Sequence, residues 1–334
     1  MATSSPIDNR SETMTVGSGE LVSLERIRYA AERIRGVAVR TPLLAWEDGV
    51  WLKPESLQPV GAFKMRGAYF RVSTLTDAER AAGIVTYSSG NHAQAVARAA
   101  RLLGVHALIV MPSDAPALKA ERVLADGAEL IRAAPGDSER RALAERLALE
   151  RGLTLIAPYD DPEVIAGQGT CGLEIWEDLP EVAEVLVPVS GGGLISGIAA
   201  AVKRLRPAVR VIGVEPDDAA DAQESLAAGE IRTWPTERTH RTIADGLRVN
   251  RLGNLPWLHI QALVDGVVTV SDEAMRDAMR QLARRARLVA EPSGAASLAA
   301  HLTGAAGSAA GPRVVVISGG NVDPAAYAEV LASG

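Results

Sequence analysis

The sequence has one cysteine, Cys171, so neither a disulfide framework nor a thiolate metal cluster can be built from it. Nothing near that thiol would activate it, which reads Cys171 as a small buried packing residue rather than a nucleophile. A chain without disulfides is expected in the cytoplasm. No apolar run reaches the length that spans a bilayer, so no membrane partner is expected. Dense Lys/Arg clusters are missing and the net charge is −6, which argues against a nucleic-acid partner. Histidines at 92, 106, 240, 259 and 301 are dispersed without zinc spacing. Residues 1–20 are polar and lack the apolar centre of a signal peptide, so they read as a disordered tail. There is no repeat of solenoid length, and the small Gly/Ala-rich stretch at 301–312 reads as a loop.

What the chain does have is an ordinary globular composition, 47% hydrophobic and 23% charged. Its length buries a large core in one big or two medium domains. Short apolar runs (GIVTYS, HALIVM, AELIRA, TLIAP, VLVPVS, RVIGVE, VVTVS and RVVVIS) alternate with helix-like stretches such as HAQAVARAARLLG and DSERRALAERLALERG. Buried strands separated by helices imply parallel sheets covered on both faces, so the fold class is α/β. Composition marks no linker at which to divide it.

Several short stretches carry chemistry. In SLQPVGAFKMRGAY, Lys64 stands between Phe63 and the small Gly61-Ala62 approach. Apolar neighbours desolvate a lysine, which disfavours the ammonium and leaves an amine able to attack a carbonyl, the property of a Schiff-base lysine. A solvated charge at a helix start is the bland alternative. SSGNHAQA follows a strand-like run and opens a helix, so Ser88, Ser89 or Asn91 can cap it while free N–H groups bind an anion. The run EVLVPVSGGGLISGIAAAV reads as strand, glycine turn and helix, a shape that closes backbone around a phosphate. A dinucleotide turn is the rival: Gly191, Gly193 and Gly197 give GxGxxxG, one residue longer than the fingerprint, and Glu215 ends the next strand where a ribose-binding acid would sit. RVVVISGGNVD leads from a buried strand to a loop with Ser318 at its lip, which a plain strand-to-turn transition also explains. In EPDDAAD, Glu215 and Asp221 flank Ala219, and two carboxylates with a carbonyl are ligands of the kind Mg2+ or Ca2+ prefers; a solvated acidic loop is the alternative.

In their order along the chain, the lysine stretch, SSGNHAQA, SGGGLISG and SGGNVD resemble the motifs of pyridoxal-phosphate enzymes built like the tryptophan synthase β subunit. The branch is that of threonine and serine dehydratases and serine racemase. Three more segments match: APYDDPEVIAGQGT, TIADGL and EPSGAAS. The resemblance implies a two-domain fold of type II, with a large domain from residues 21–81 and 159–334, a small inserted one from 82–158, and the active site between them. It also implies a homodimer. Because the chain stops just after SGGNVD, no regulatory domain is expected.

Carried over residue by residue, the resemblance has Lys64 bearing pyridoxal 5'-phosphate beside Phe63. Ser88, Ser89, Gly90, Asn91 and His92 form the loop for the substrate carboxylate. Asn91 lies by the cofactor's phenolic oxygen, and Ser89 passes a proton on the face opposite Lys64. Ser190, Gly191, Gly192, Gly193 and Leu194 cradle the phosphate, Ser318 faces the pyridine nitrogen, and Glu215, Ala219 and Asp221 form a divalent-cation site. His92 reads as a helix-start residue rather than a base. Four positions depart from the pattern: Ser190 replaces a glycine, Ala157 a histidine, Ala62 a frequent serine, and Tyr159 a phenylalanine or asparagine. The expected reaction is β-elimination on L-threonine or L-serine to give a keto acid and ammonia. A racemase or a 3-hydroxyaspartate dehydratase are alternatives in the same family, and a non-catalytic protein of the same fold is a further one. A nicotinamide-dinucleotide oxidoreductase is the alternative from another class.

Overall fold

A computed structural model describes residues 19–88, 90–113, 115, 117–134 and 137–333, which form two sheets. The first begins with a hairpin, β1 (Leu44–Glu47) and β2 (Val50–Pro54), paired antiparallel across Asp48 and a left-handed Gly49 at φ 72°. The remaining strands are the eight apolar runs: β3 (Ile84–Tyr87), β4 (Ala107–Pro112), β5 (Glu129–Ala133), β6 (Thr154–Leu155), β7 (Glu184–Pro188), β8 (Arg210–Pro216), β9 (Gly266–Val270) and β10 (Arg313–Ile317). The six-stranded sheet runs β1-β2-β10-β7-β8-β9, parallel except at β1, and the four-stranded sheet runs β5-β4-β3-β6, parallel throughout. Every residue of β3, β4, β7 and β10 is buried, as strands covered on both faces require. Most of the expected tail, residues 1–18, lies outside the described residues. Among the described residues no helix is long and apolar enough to cross a membrane.

Two close contacts position the helix that starts at Lys64, Lys64–Ser73. It crosses the helix Pro162–Asp178 glycine to glycine: a Cβ on Gly167 would lie 2.5 Å from the Gly67 Cα. Its second contact is ionic. The fully buried Arg66 donates from Nε and Nη2 to the two Glu55 oxygens at 2.7 and 2.8 Å, and from Nη1 and Nη2 to those of Glu174 at 2.7 and 2.8 Å. Lys53 Nζ closes the set with bonds of 2.6 Å to Glu174 and to the Thr41 carbonyl. Burial works against charge on Glu55, yet the Arg66 guanidinium beside it holds the carboxyl below its ordinary value. The planar fork of arginine suits this two-carboxylate grip.

Candidate active site

Lys64 is the first residue of its helix, and the segment before it is stitched to the loop after β10. Phe63 N donates to Ser318 O at 3.0 Å, Ala62 bridges Gly319, and Gly61, at φ 70°, lies so close to the Asn321 amide that a Cβ would stand 2.7 Å from its Oδ1. Lys64 Nζ donates to Pro158 O at 2.7 Å and lies 5.1 Å from the Phe63 ring centre. Among the described residues no acid is ion-paired with it. Burial pushes its pKa down from 10.5 to about 8.

The helix Asn91–Leu103 departs from expectation at its start. Gly90 is the N-cap and makes no side-chain cap bond. Ser88 Oγ instead accepts from Gly90 N at 3.2 Å, while the Asn91 amide turns to Glu291 and Asn321. Side-chain capping by Ser88 or Asn91 is therefore corrected, for the physical reason that both side chains have other partners. Ser89 lies outside the described residues. His92 is buried and stays neutral, its pKa lowered to about 3 by burial and by Lys64, so it is a helix-start residue and not a base at ordinary pH.

At the end of β7, Ser190, Gly191 and Gly192 lead into the helix Gly193–Leu205. Gly191 and Gly192 leave no room for a side chain, and Gly193 leaves little. Gly192 has φ 94°, a Cβ on Gly191 would lie 2.4 Å from Tyr159 ring carbons, and one on Gly193 3.0 Å from Tyr159 Cβ. Among the described residues no side chain caps this helix, and Ser190 Oγ is shielded from solvent without a hydrogen-bond partner. Ser318, at the end of β10, is buried. A cavity of about 910 Å3 is lined by Phe63, Lys64, Ser88, Gly90, Asn91, His92, the Ser190 to Leu194 turn and Ser318 together.

Glu215, Ala219 and Asp221 lie away from that cavity. Glu215, on β8, accepts from Ala222 N at 3.0 Å and Gln223 N at 2.8 Å, and so caps the helix that Asp221 begins. Burial and then Asp221 raise the Glu215 carboxyl, burial pushes Asp221 up to about 8, and Asp221 Oδ2 is buried without a hydrogen-bond partner among the described residues. Among the described residues no group of three acids, histidines or cysteines could hold a metal. The capping bonds give Glu215 a use in this fold that needs no ribose. Gly197 likewise has a packing role, since its Cβ would lie 2.4 Å from Gly169 N.

Sequence reasoning missed four residues in or beside the site. Glu291 lies against Asn91, Asn321 holds both Asn91 and the Gly61 turn, and Lys119 is paired with Asp245 at 2.5 Å across the cavity. The segments TIADGL and EPSGAAS contain two of these acids, but only folding brings them to the cavity wall. Cys171 is buried and burial raises its pKa, as expected of a packing residue.

A family model for pyridoxal-phosphate dependent enzymes matches residues 34–320. The chain belongs to that family. It is 41% identical over 302 residues to L-threonine dehydratase catabolic TdcB of Escherichia coli (strain K12), covering 90% of this chain and 87% of that one. It is also 41% identical over 310 residues to L-threo-3-hydroxyaspartate ammonia-lyase of Saccharomyces cerevisiae, covering 90% and 94%. Its fold matches the structure of maize serine racemase with a TM-score of 0.87 and 39% identity, over 94% of this chain and 98% of that one.

The residues fit the family's cofactor. An orphaned buried hydroxyl, uncapped helix N–H groups and a turn too tight for any Cβ are what a phosphate needs, and a desolvated amine opens on the same cavity.

Proposed function

We propose that the chain is a pyridoxal-phosphate-dependent lyase, converting a small β-hydroxy amino acid, L-threonine or L-serine, to a keto acid and ammonia by β-elimination. One observation carries this reading: the half-buried, desolvated Lys64 amine, with no acidic partner among the described residues, shares a cavity with an uncapped glycine turn. When bound, the cofactor supplies an aldehyde carbon for an amine and a ring that draws electrons from the substrate's Cα. Lys64 Nζ would hold that carbon, and the same amine is the group placed to take the proton from Cα. Ser190, Gly191, Gly192, Gly193 and Leu194 hold the phosphate through the Ser190 hydroxyl and backbone N–H groups. Phe63 covers the amine, Asn91 serves the phenolic oxygen, and Ser318 serves the ring nitrogen. Ser88, Gly90, Asn91 and His92 bind the substrate carboxylate at the helix start, and Ser89 is assigned the second proton transfer. Residues 21–81 with 159–334 form the large domain and 82–158 the small one, and their closure excludes water from the cavity.

Two readings within the family are kept for specific reasons. Likeness to serine racemase makes return of the proton to the other face of Cα the second reading. Arg122 and Arg248 both line the cavity and, among the described residues, bond neutral oxygens, of Asn321 and Gln94 and of Thr242 respectively, which suits a substrate with a second carboxylate such as 3-hydroxyaspartate.

The buried Glu215 and Asp221 carboxyls, with the Ala219 carbonyl, are proposed as a divalent-cation site: burial favours their neutral forms, Asp221 Oδ2 has no hydrogen-bond partner among the described residues, and a bound cation would favour the carboxylates instead. Millimolar Mg2+ then raises the melting temperature, and an unchanged melt contradicts it. A cytoplasmic homodimer completes the reading; the lone buried thiol suits a reducing compartment, and light scattering tests the dimer.

The deciding assay offers loaded protein L- and D-serine, L-threonine and 3-hydroxyaspartate, scoring keto acid and inverted enantiomer. Keto acid from L-serine or L-threonine supports the lyase. Inverted enantiomer without keto acid replaces it with a racemase, and a protein that takes up a dinucleotide but no pyridoxal phosphate overturns the family chemistry for this chain.

A further inference from the structure

Glu291 is a buried acid in the cavity wall that the reaction above does not use. Its Oε1 accepts from Asn91 Nδ2 at 2.6 Å, and its backbone N–H donates to Gly319 O at 3.1 Å. Gly319 packs so tightly on the carboxylate that a Cβ there would lie 2.2 Å from Oε1, and Gly319 also bridges Ala62. One side chain thus touches the segments bearing Asn91 and Ser318 and, through Gly319, the segment bearing Lys64.

A side-chain amide turned by 180° exchanges its donor and acceptor. Asn91 is held against that turn from both ends. Its Oδ1 accepts from Asn321 Nδ2 at 2.9 Å while its Nδ2 donates to Glu291. Asn321 is itself fixed, since its other N–H donates to Val60 O at 2.7 Å and its Oδ1 accepts from Arg122 Nη1 at 2.8 Å. With one Asn91 N–H committed to Glu291, the second remains for the cavity.

We infer that Glu291 is a positioning residue, fixing the Asn91 amide so that its free N–H serves the cofactor's phenolic oxygen. The inference rests on the reading of Lys64 and Asn91 given under the proposed function. The charged groups facing Glu291 are Asp245, on the 3-10 turn Asp245–Leu247, and its partner Lys119, on the helix Ala117–Ala125. Burial and then Asp245 push the Glu291 carboxyl up to about 7, against Lys119 and Asn91. Above that pH Glu291 is a carboxylate and accepts the Asn91 N–H more strongly; below it, the neutral acid accepts more weakly.

The test is a titration of unloaded protein with pyridoxal phosphate, followed by absorbance, on the wild type, E291A, E291Q, N91A and the E291A/N91A double variant. E291A is expected to weaken cofactor binding about tenfold. The double variant should bind no more weakly than N91A alone, because Glu291 acts through Asn91. Glutamine keeps the shape and an acceptor oxygen, so E291Q should match the wild type near pH ~6, where Glu291 is neutral, and fall behind near pH ~8. A merely structural role would lower the melting temperature of E291A while its affinity loss added to that of N91A. Additive losses, or wild-type affinity in E291A, overturn the inference. If E291A fails to fold, the E291Q comparison decides, and equal affinity to the wild type at both pH values overturns it. A wild type that takes up no cofactor overturns both this inference and the proposed function.

Discussion

The Lys64 amine ends against the Pro158 carbonyl and the Phe63 ring. Burial lowers the amine from 10.5 to about 8, so the neutral nucleophile grows as pH rises through about 8 rather than through the ordinary lysine range. The rate at which unloaded protein captures pyridoxal phosphate should follow the same curve in stopped-flow absorbance; a midpoint still near the ordinary lysine value would contradict it. Ser190 makes a prediction of two signs. Its hydroxyl is buried and unpartnered in the unloaded chain, so S190A should stabilise the unloaded protein by about 1 kcal/mol while weakening cofactor binding several-fold. Melting curves with and without cofactor check both signs, and a loss of stability in both forms would contradict it. At this scale the sequence was informative: the apolar flank of Lys64 and the triglycine turn are local features, and both line the one cavity described. Glu291 was not readable in the same way, because an isolated EPSGAAS says nothing of a partner 200 residues away.

Among the elements, the helix Lys64–Ser73 bears most on the site, and its anchor is the buried set of Arg66, Glu55, Glu174 and Lys53. Removing one partner strands a buried charge, so E55A should cost about 3–5 kcal/mol by urea denaturation at neutral pH. The sign with pH follows from the lowered Glu55 carboxyl. Its contribution is present above the unfolded value of 4.5 and is lost as pH falls through the lower folded value, so the gap between E55A and the wild type should narrow in acid. A gap that widened in acid would contradict this. G167A should force the Lys64 helix off its crossing partner, lowering stability by about 1–3 kcal/mol and slowing cofactor capture in the stopped-flow assay; unchanged capture would contradict the positioning role of that contact. Eight of the strands were legible because apolar runs of that length between helices have few other uses. The β1–β2 hairpin went unread although Asp48-Gly49, a favoured two-residue turn, marks it. Its edge position leaves β1 a mixed burial pattern instead of a continuous apolar run.

At the scale of the whole molecule, the cavity joins what the chain keeps apart. Lys119 and Asp245 are separated by 126 positions and Arg122 and Asn321 by 199, and both pairs run from the helix Ala117–Ala125 to segments that border the six-stranded sheet. The four ordered motifs all reach the cavity wall, whereas these cross-cavity pairs depend on tertiary placement that no local pattern encodes. K119A should therefore raise KM for the amino acid more than it lowers kcat, because it loosens the cavity without touching the Lys64 amine; the reverse split would contradict that role. The proposed linkage of Lys64 to the cofactor is open to a direct measurement: loaded protein is reduced with borohydride, digested, and mapped by mass spectrometry. The expected result is a pyridoxyl-phosphate mass on the peptide that contains Lys64 and on no other lysine, while an unmodified Lys64 peptide or an adduct elsewhere would contradict it.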